Sequence, residues 1–198
     1  MKKDNKIYLI YFNRIYFSTI IMHIWHMESY ICGDKRLPHH VYPPKMHTPD
    51  QLQALTGVIH YKVDLDDTVA MKKRISRVKN DRGVISSDII TINEHLADLS
   101  LKLEEFFEPV VKKEDAIYLL MDGSAYYDIE VDEDDWIRIE LERGDMIVIP
   151  SGRPHRYTLT PLVSYLKALE LDVRPLIIAV PIKIGTKLLS IEQMLLLY

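Results

Sequence analysis

Among the side chains of this sequence that could bind a metal or move a proton, His155 has the most organised surroundings. Residues 144–155 read Gly-Asp-Met-Ile-Val-Ile-Pro-Ser-Gly-Arg-Pro-His, with the spacing G-x5-P-x-G-x2-H. An apolar run, a Pro/Gly turn and a second extended stretch predict a strand, a turn and a strand with the imidazole at its start. An imidazole nitrogen offers a lone pair to a transition metal, but a single one does not hold such an ion against water. The other seven histidines, His23, His26, His39, His40, His47, His60 and His95, are scattered without metal-site spacing. The single cysteine, Cys32, has no C-x2-C partner for zinc. Upstream, residues 108–116 read Glu-Pro-Val-Val-Lys-Lys-Glu-Asp-Ala. If that stretch is extended, its even-numbered residues share one face, and should that face be the interior one, Lys112 lies inside. An ammonium there needs a carboxylate or must shed its proton, and Glu114 and Glu140 are the partners expected from sequence.

The 144–155 spacing is similar to the second cupin motif. Asp122-Gly123-Ser124-Ala125-Tyr126-Tyr127-Asp128, Asp134-Asp135-Trp136-Ile137-Arg138-Ile139, Glu142-Arg143-Gly144-Asp145-Met146 and the Pro150 to Tyr157 stretch together resemble the acireductone dioxygenase family of methionine salvage. Trp25-His26-Met27, Gln51-Leu52, Tyr61-Lys62-Val63-Asp64 and Asp88-Ile89-Ile90-Thr91-Ile92 extend the resemblance upstream. It implies a mainly β fold, a cupin-type antiparallel β-barrel (double-stranded β-helix) with a few peripheral α-helices. It also implies a metal site for Fe2+ or Ni2+ built from His, His, Glu and His, on which active relatives chelate the acireductone enediolate for attack by O2. Those ligand positions fall here on Val110, Lys112, Ala116 and His155. Isopropyl and methyl groups have no lone pair, and an ammonium repels a cation, so only His155 is retained as a metal ligand. Two substrate-side arginines of the family fall on Tyr118 and Glu170. The expectation is an inactive family member that carries no cofactor. The alternatives are an active dioxygenase whose reorganised site uses His155 with Glu108, Glu114 or Asp115, and a metal-independent protein-interaction module.

The elements that must position these residues follow from periodicity and punctuation. Thr48-Pro49-Asp50-Gln51 is a capped helix start, so a helix is expected over 49–55, closed by Gly57. Asp64 to Lys79 reads as a partly exposed second helix, and Leu99, Leu103, Phe106 and Phe107 mark a third that Pro109 ends. Period-two alternation then predicts strands over 117–121, 125–130, 136–141, 146–149, 156–159 and 165–171. Asp122-Gly123 suits a tight hairpin, and residues 131–135 an acidic hairpin loop.

A chain of 198 residues with 47% hydrophobic and 27% charged residues can bury a full core as one domain, expected over 22–171. The net charge of −4 comes without a basic stripe and argues against nucleic acid as a partner. A single cysteine fits a reducing compartment, cytoplasm or nucleus. A monomer is expected, with a protein partner or a small metabolite in the barrel as its ligand. Residues 1–21 carry Lys2, Lys3 and Lys6 ahead of apolar pieces that Asn13 and Arg14 interrupt, too short to span a bilayer. They read as an atypical extension ahead of a start at Met22, with a membrane-surface anchor as the other reading. Residues 172–198 form a divergent, apolar tail in which Leu176 to Val180 is expected as an edge strand.

Overall fold

The computed structural model describes residues 22–93, 98–161 and 165–173. The elements run β1 (Ile24–His26), α1 (Pro49–Thr56), β2 (Ile59–Lys62), α2 (Thr68–Arg82), β3 (Val84–Asn93), α3 (Leu99–Phe107), β4 (Ala116–Asp122), β5 (Ser124–Asp132), β6 (Asp135–Glu142), β7 (Asp145–Ile149), β8 (His155–Leu159) and β9 (Tyr165–Val173). Every strand pairing is antiparallel. The strands form two sheets, β1-β6-β5-β8 and β2-β7-β4-β9-β3. The expected cupin architecture is thus present as two facing sheets rather than one closed barrel. The two terminal segments, the expected edge strand at 176–180 and His95 lie outside the described residues.

Alternation sorts the side chains. Ala125, Tyr127 and Ile129 of β5, Ile137, Ile139 and Leu141 of β6 and Leu159 of β8 meet Tyr118, Leu120, Ile147, Ile149, Leu166 and Ala168 of the other sheet in the main core. Ile117, Leu119, Met146, Val148 and Leu171 point the opposite way and are covered by α2 through Val78. The five-stranded sheet is therefore buried on both faces at its centre, and Ala116–Leu120 is buried without a break. The four-stranded sheet carries charge on its outer face, at Asp128, Arg138 and Arg156.

Local chemistry fixes the ends of the helices. In α1 the Thr48 hydroxyl accepts from the Gln51 amide at 3.2 Å while the Gln51 side chain accepts from the Thr48 amide at 2.9 Å, the reciprocal capping box read from sequence. Asp67 caps α2 through the amides of Val69 and Ala70. This cap puts the second helix at 68–82, later than the expected start at Asp64.

Two expectations change. Gly123 has φ of 84°, as a turn glycine should, but β4 and β5 belong to different sheets, so it is the corner where the chain passes between sheets and not a hairpin. Three strands, β1, β2 and β3, were not anticipated. In β2, Lys62 and His60 reach the buried Asp145 carboxylate of β7 at 3.0 and 2.8 Å. Burial alone would raise the pKa of Asp145, but bonds from His60, the Glu142 amide and Lys62 outweigh it and hold the group below the usual carboxylate range. Glycine is required at 144, where φ is 88° and a Cβ would sit 2.6 Å from the Val63 carbonyl oxygen.

Candidate functional site

His155 opens β8 and is buried. Its backbone bridges Val110, with N–H to carbonyl distances of 3.0 and 2.9 Å in the two directions, so the strand–turn–strand expected around Pro150 does carry the imidazole between the sheets. His155 Nδ1 lies 2.9 Å from the Arg153 carbonyl oxygen. A carbonyl only accepts, so Nδ1 carries the proton and Nε2 keeps its lone pair. That lone pair faces the Tyr118 hydroxyl at 3.5 Å, the long end of hydrogen bonding. Burial lowers the His155 pKa and outweighs the Arg153 bond; Lys112 pushes it down further and Glu170 pulls it up. The ring is neutral at pH 7. Burial, reinforced by the charge of Glu170 and a hydrogen bond to it, raises the Tyr118 pKa and keeps the phenol protonated.

Around this pair the interior is filled with rings. Tyr157 stacks on Phe106 at 4.8 Å and on Tyr127 at 5.3 Å between centroids, and Tyr118 tilts against Tyr127 at 5.1 Å. Burial raises the pKa values of Tyr127 and Tyr157 as well, so this cluster is uncharged.

Lys112 donates from Nζ to Glu170 Oε1 of β9 and lies 5.3 Å from the Tyr118 ring centroid. Its side chain is 36% exposed and that of Glu170 21%. The expected carboxylate partner exists, but it is neither Glu114 nor Glu140; the latter accepts from His23 at 3.1 Å. The reason is conformational. Residues 111–115 bend at 113 and 114 instead of running as a strand, so the alternation assumed for 108–116 fails. Val110 is 44% exposed while Ala116 is buried. Glu170 was legible as a position where the family resemblance expects arginine, and the register placing it opposite Tyr118 required the fold.

Iron or nickel does not fit these residues. Val110 and Ala116 have no donor atom, Lys112 presents a cation already tied to Glu170, and the His155 lone pair, which faces the Tyr118 hydroxyl at 3.5 Å, is a single ligand. Nor do the alternative ligands gather. Asp115 accepts from Arg82 at 2.7 Å and from the Ser151 amide at 3.1 Å, and Glu108 lines a cleft with Arg156 on the other face of the sheet. Among the described residues no three His, Cys, Asp or Glu side chains are grouped to hold a metal. None of the helices there is long and apolar enough to cross a membrane.

Sequence reasoning missed a second polar cluster, on the outer face of the four-stranded sheet. Arg138 and Asp128, both fully buried, form a fork at 2.7 and 2.8 Å, and Arg156 Nε adds a third bond to Asp128 at 3.1 Å. Arg138 also donates to the carbonyls of Lys35 and Leu37, which lie in the loop covering this face. The Arg156 guanidinium lies 4.1 Å from the ring centroids of both Phe107 and Trp136. Charged residues at the outward positions of β5, β6 and β8 were the available signal; the loop that buries them was not predictable from it.

A family model described as "ARD/ARD' family" matches residues 23–171. "Probable inactive acireductone dioxygenase 1" of Caenorhabditis elegans is 54% identical over 140 residues, covering 71% of this chain and 88% of the relative. "Probable inactive acireductone dioxygenase 2" of the same organism is 42% identical over 142 residues, covering 71% and 90%. "Acireductone dioxygenase 1" of Physcomitrium patens is 38% identical over 153 residues, covering 77% of each. Among solved structures, "Acireductone dioxygenase from Bacillus anthracis with cadmium ion in active center" superposes with a TM-score of 0.62 at 17% identity, covering 78% of this chain and 94% of that one, and shares the fold. The extent of the family match, together with relatives that agree across the same region, shows that this chain belongs to the acireductone dioxygenase (ARD/ARD') family.

Proposed function

We propose that this protein keeps the acireductone dioxygenase fold without the metal-dependent oxygenation of methionine salvage, as the names of its similar Caenorhabditis relatives suggest for them. The observation that carries the reading is the Lys112–Glu170 ion pair beside His155, in the place where the family resemblance puts a metal ligand and an arginine. The two changes are complementary. A cation stands at a ligand position and an anion at an arginine position, so the charges compensate each other without a metal ion. An anionic enediolate would meet Glu170 as a like charge, and substrate recognition is lost together with coordination. With the catalytic role gone, a metal-independent role such as binding a protein partner or a small metabolite is what remains to this fold, in the cytoplasm or nucleus.

The test is restoration. In the Val110→His, Lys112→His, Ala116→Glu triple variant the ligand set is complete, and metal analysis should find close to one equivalent of Fe or Ni against little in the parent. Oxygen consumption with acireductone should stay absent in that variant, because Tyr118 and Glu170 still stand where the family resemblance puts arginines. It should rise only when Tyr118→Arg and Glu170→Arg are added. A triple variant that folds and binds no metal, or a parent that consumes oxygen, overturns the reading.

A further inference from the structure

The outer face of the four-stranded sheet ends in a cleft of about 370 Å³ that has no part in the relict metal site. It is large enough for a small molecule. Its floor is Arg156, held between Phe107 and Trp136, and around it stand Glu108, Glu130, Asp134 and Lys35, the last already paired with Glu104.

The charge on the floor is unbalanced. Arg138 and Arg156 share the single carboxylate of Asp128, so one positive charge remains within a cluster whose members are 0%, 13% and 0% exposed in the order Arg138, Arg156, Asp128. Arg156 uses only Nε on Asp128, and no described residue accepts from its Nη groups. No buried side-chain nitrogen or oxygen among the described residues lacks a partner, so those Nη groups reach the solvent of the cleft. Two planar N–H donors of a guanidinium that is fixed by stacking, with its Nε committed elsewhere, match one carboxylate. The rest of the lining is mainly of the opposite sign, three carboxylates against one lysine that Glu104 neutralises. Glu108, Glu130 and Asp134 would repel a dianion such as a phosphate monoester and attract an ammonium placed next to the bound carboxylate. Ile31 and Pro109 add apolar wall.

We propose that this cleft binds a zwitterionic α-amino acid with an aliphatic side chain, its carboxylate on Arg156 and its ammonium toward Glu130 and Asp134. Neither a metal nor any residue of the relict site takes part.

The test uses the full chain and three probes, L-leucine, L-leucinamide and N-acetyl-L-leucine, with binding read from the Trp136 indole N–H resonance. The Trp25 indole, whose Nε1 donates to the Pro38 carbonyl at 2.7 Å away from the cleft, is the internal control. L-Leucine should shift Trp136 saturably and leave Trp25 unmoved, while each derivative binds about tenfold or more weakly, because each lacks one charge. The Glu130→Gln/Asp134→Asn variant, which keeps a side-chain oxygen at 130 to accept from the residue 134 amide, should weaken L-leucine to the same degree. Asparagine suits position 134, where φ is 58°. In that variant N-acetyl-L-leucine should bind no more weakly than in the parent, which separates loss of the ammonium site from general damage. Absence of a Trp136 shift at about 10 mM L-leucine, or equal binding of L-leucine and either derivative, overturns the proposal.

Discussion

The interior between the two sheets and the outer face of the four-stranded sheet meet the problem of buried charge differently. On the side of the sheets that faces the interior, charge is reduced to one pair, Lys112–Glu170, which keeps partial contact with water. The rest of that face is a neutral histidine and protonated tyrosines. On the outer face, two guanidiniums and a carboxylate are taken fully or nearly out of water and tied together by geometry. The interior can be neutral and aromatic because almost nothing there must stay ionised. Arginine cannot be neutralised at ordinary pH, so its partners have to be held in place.

The comparison is broken most sharply by removing one member of the outer network. Arg138→Met should leave Asp128 with a single donor group and cost about 3–5 kcal/mol in denaturant unfolding. A loss below about 1 kcal/mol would mean that the outer cluster is no more binding than a surface pair.

Acid provides the next effect. Burial lowers the pKa values of His155, His40 and His47, so the folded protein binds fewer protons at these sites than the unfolded chain does. The stability they permit is present above their ordinary value of 6.5 and is lost as pH falls below it toward the lowered folded values. The expected slope is at most about 1.4 kcal/mol per pH unit for each histidine, and His155→Phe should remove its own share. Unfolding curves that stay parallel for parent and variant from pH 7 to about pH 5 would show that His155 is protonated as readily folded as unfolded.

The smallest effect belongs to the inner pair. Because both partners keep contact with solvent, Lys112→Met should cost about 1 kcal/mol or less, and the Lys112→Met/Glu170→Gln double variant should recover part of that loss. A clear gain in stability from Lys112→Met alone would show that the ammonium is not compensated by Glu170.

Much of the site was readable because spacing is a local property. Gly144, Pro150, Gly152 and His155 lie within one strand–turn–strand, and that unit forms as their order requires. The capping box at Thr48 and the third helix from Leu99 were legible for the same reason. What failed depended on distant residues. Lys112 was expected to pair with a carboxylate, yet the partner sits 58 positions away on a strand whose register no local pattern encodes. The hairpin at Gly123 had the right backbone conformation but the wrong strands around it, since sheet membership is a global choice. The strand Val84–Asn93 was missed even though its Val, Ile and Thr content favours extended structure. The Asp128–Arg138–Arg156 network was visible as charges in outward positions, which ordinarily signal solvent, and only the loop through Lys35 and Leu37 turns them into buried groups.

The interior, with His155 as its single retained ligand, lacks the donor atoms to hold a transition ion. The most direct measurement is the iron and nickel content of the unaltered chain, purified after growth with both metals and without chelator, taken alongside its oxygen uptake with acireductone. The account predicts far less than one equivalent of either metal and no uptake; a full equivalent that disappears in His155→Ala, with turnover in the parent, would contradict it.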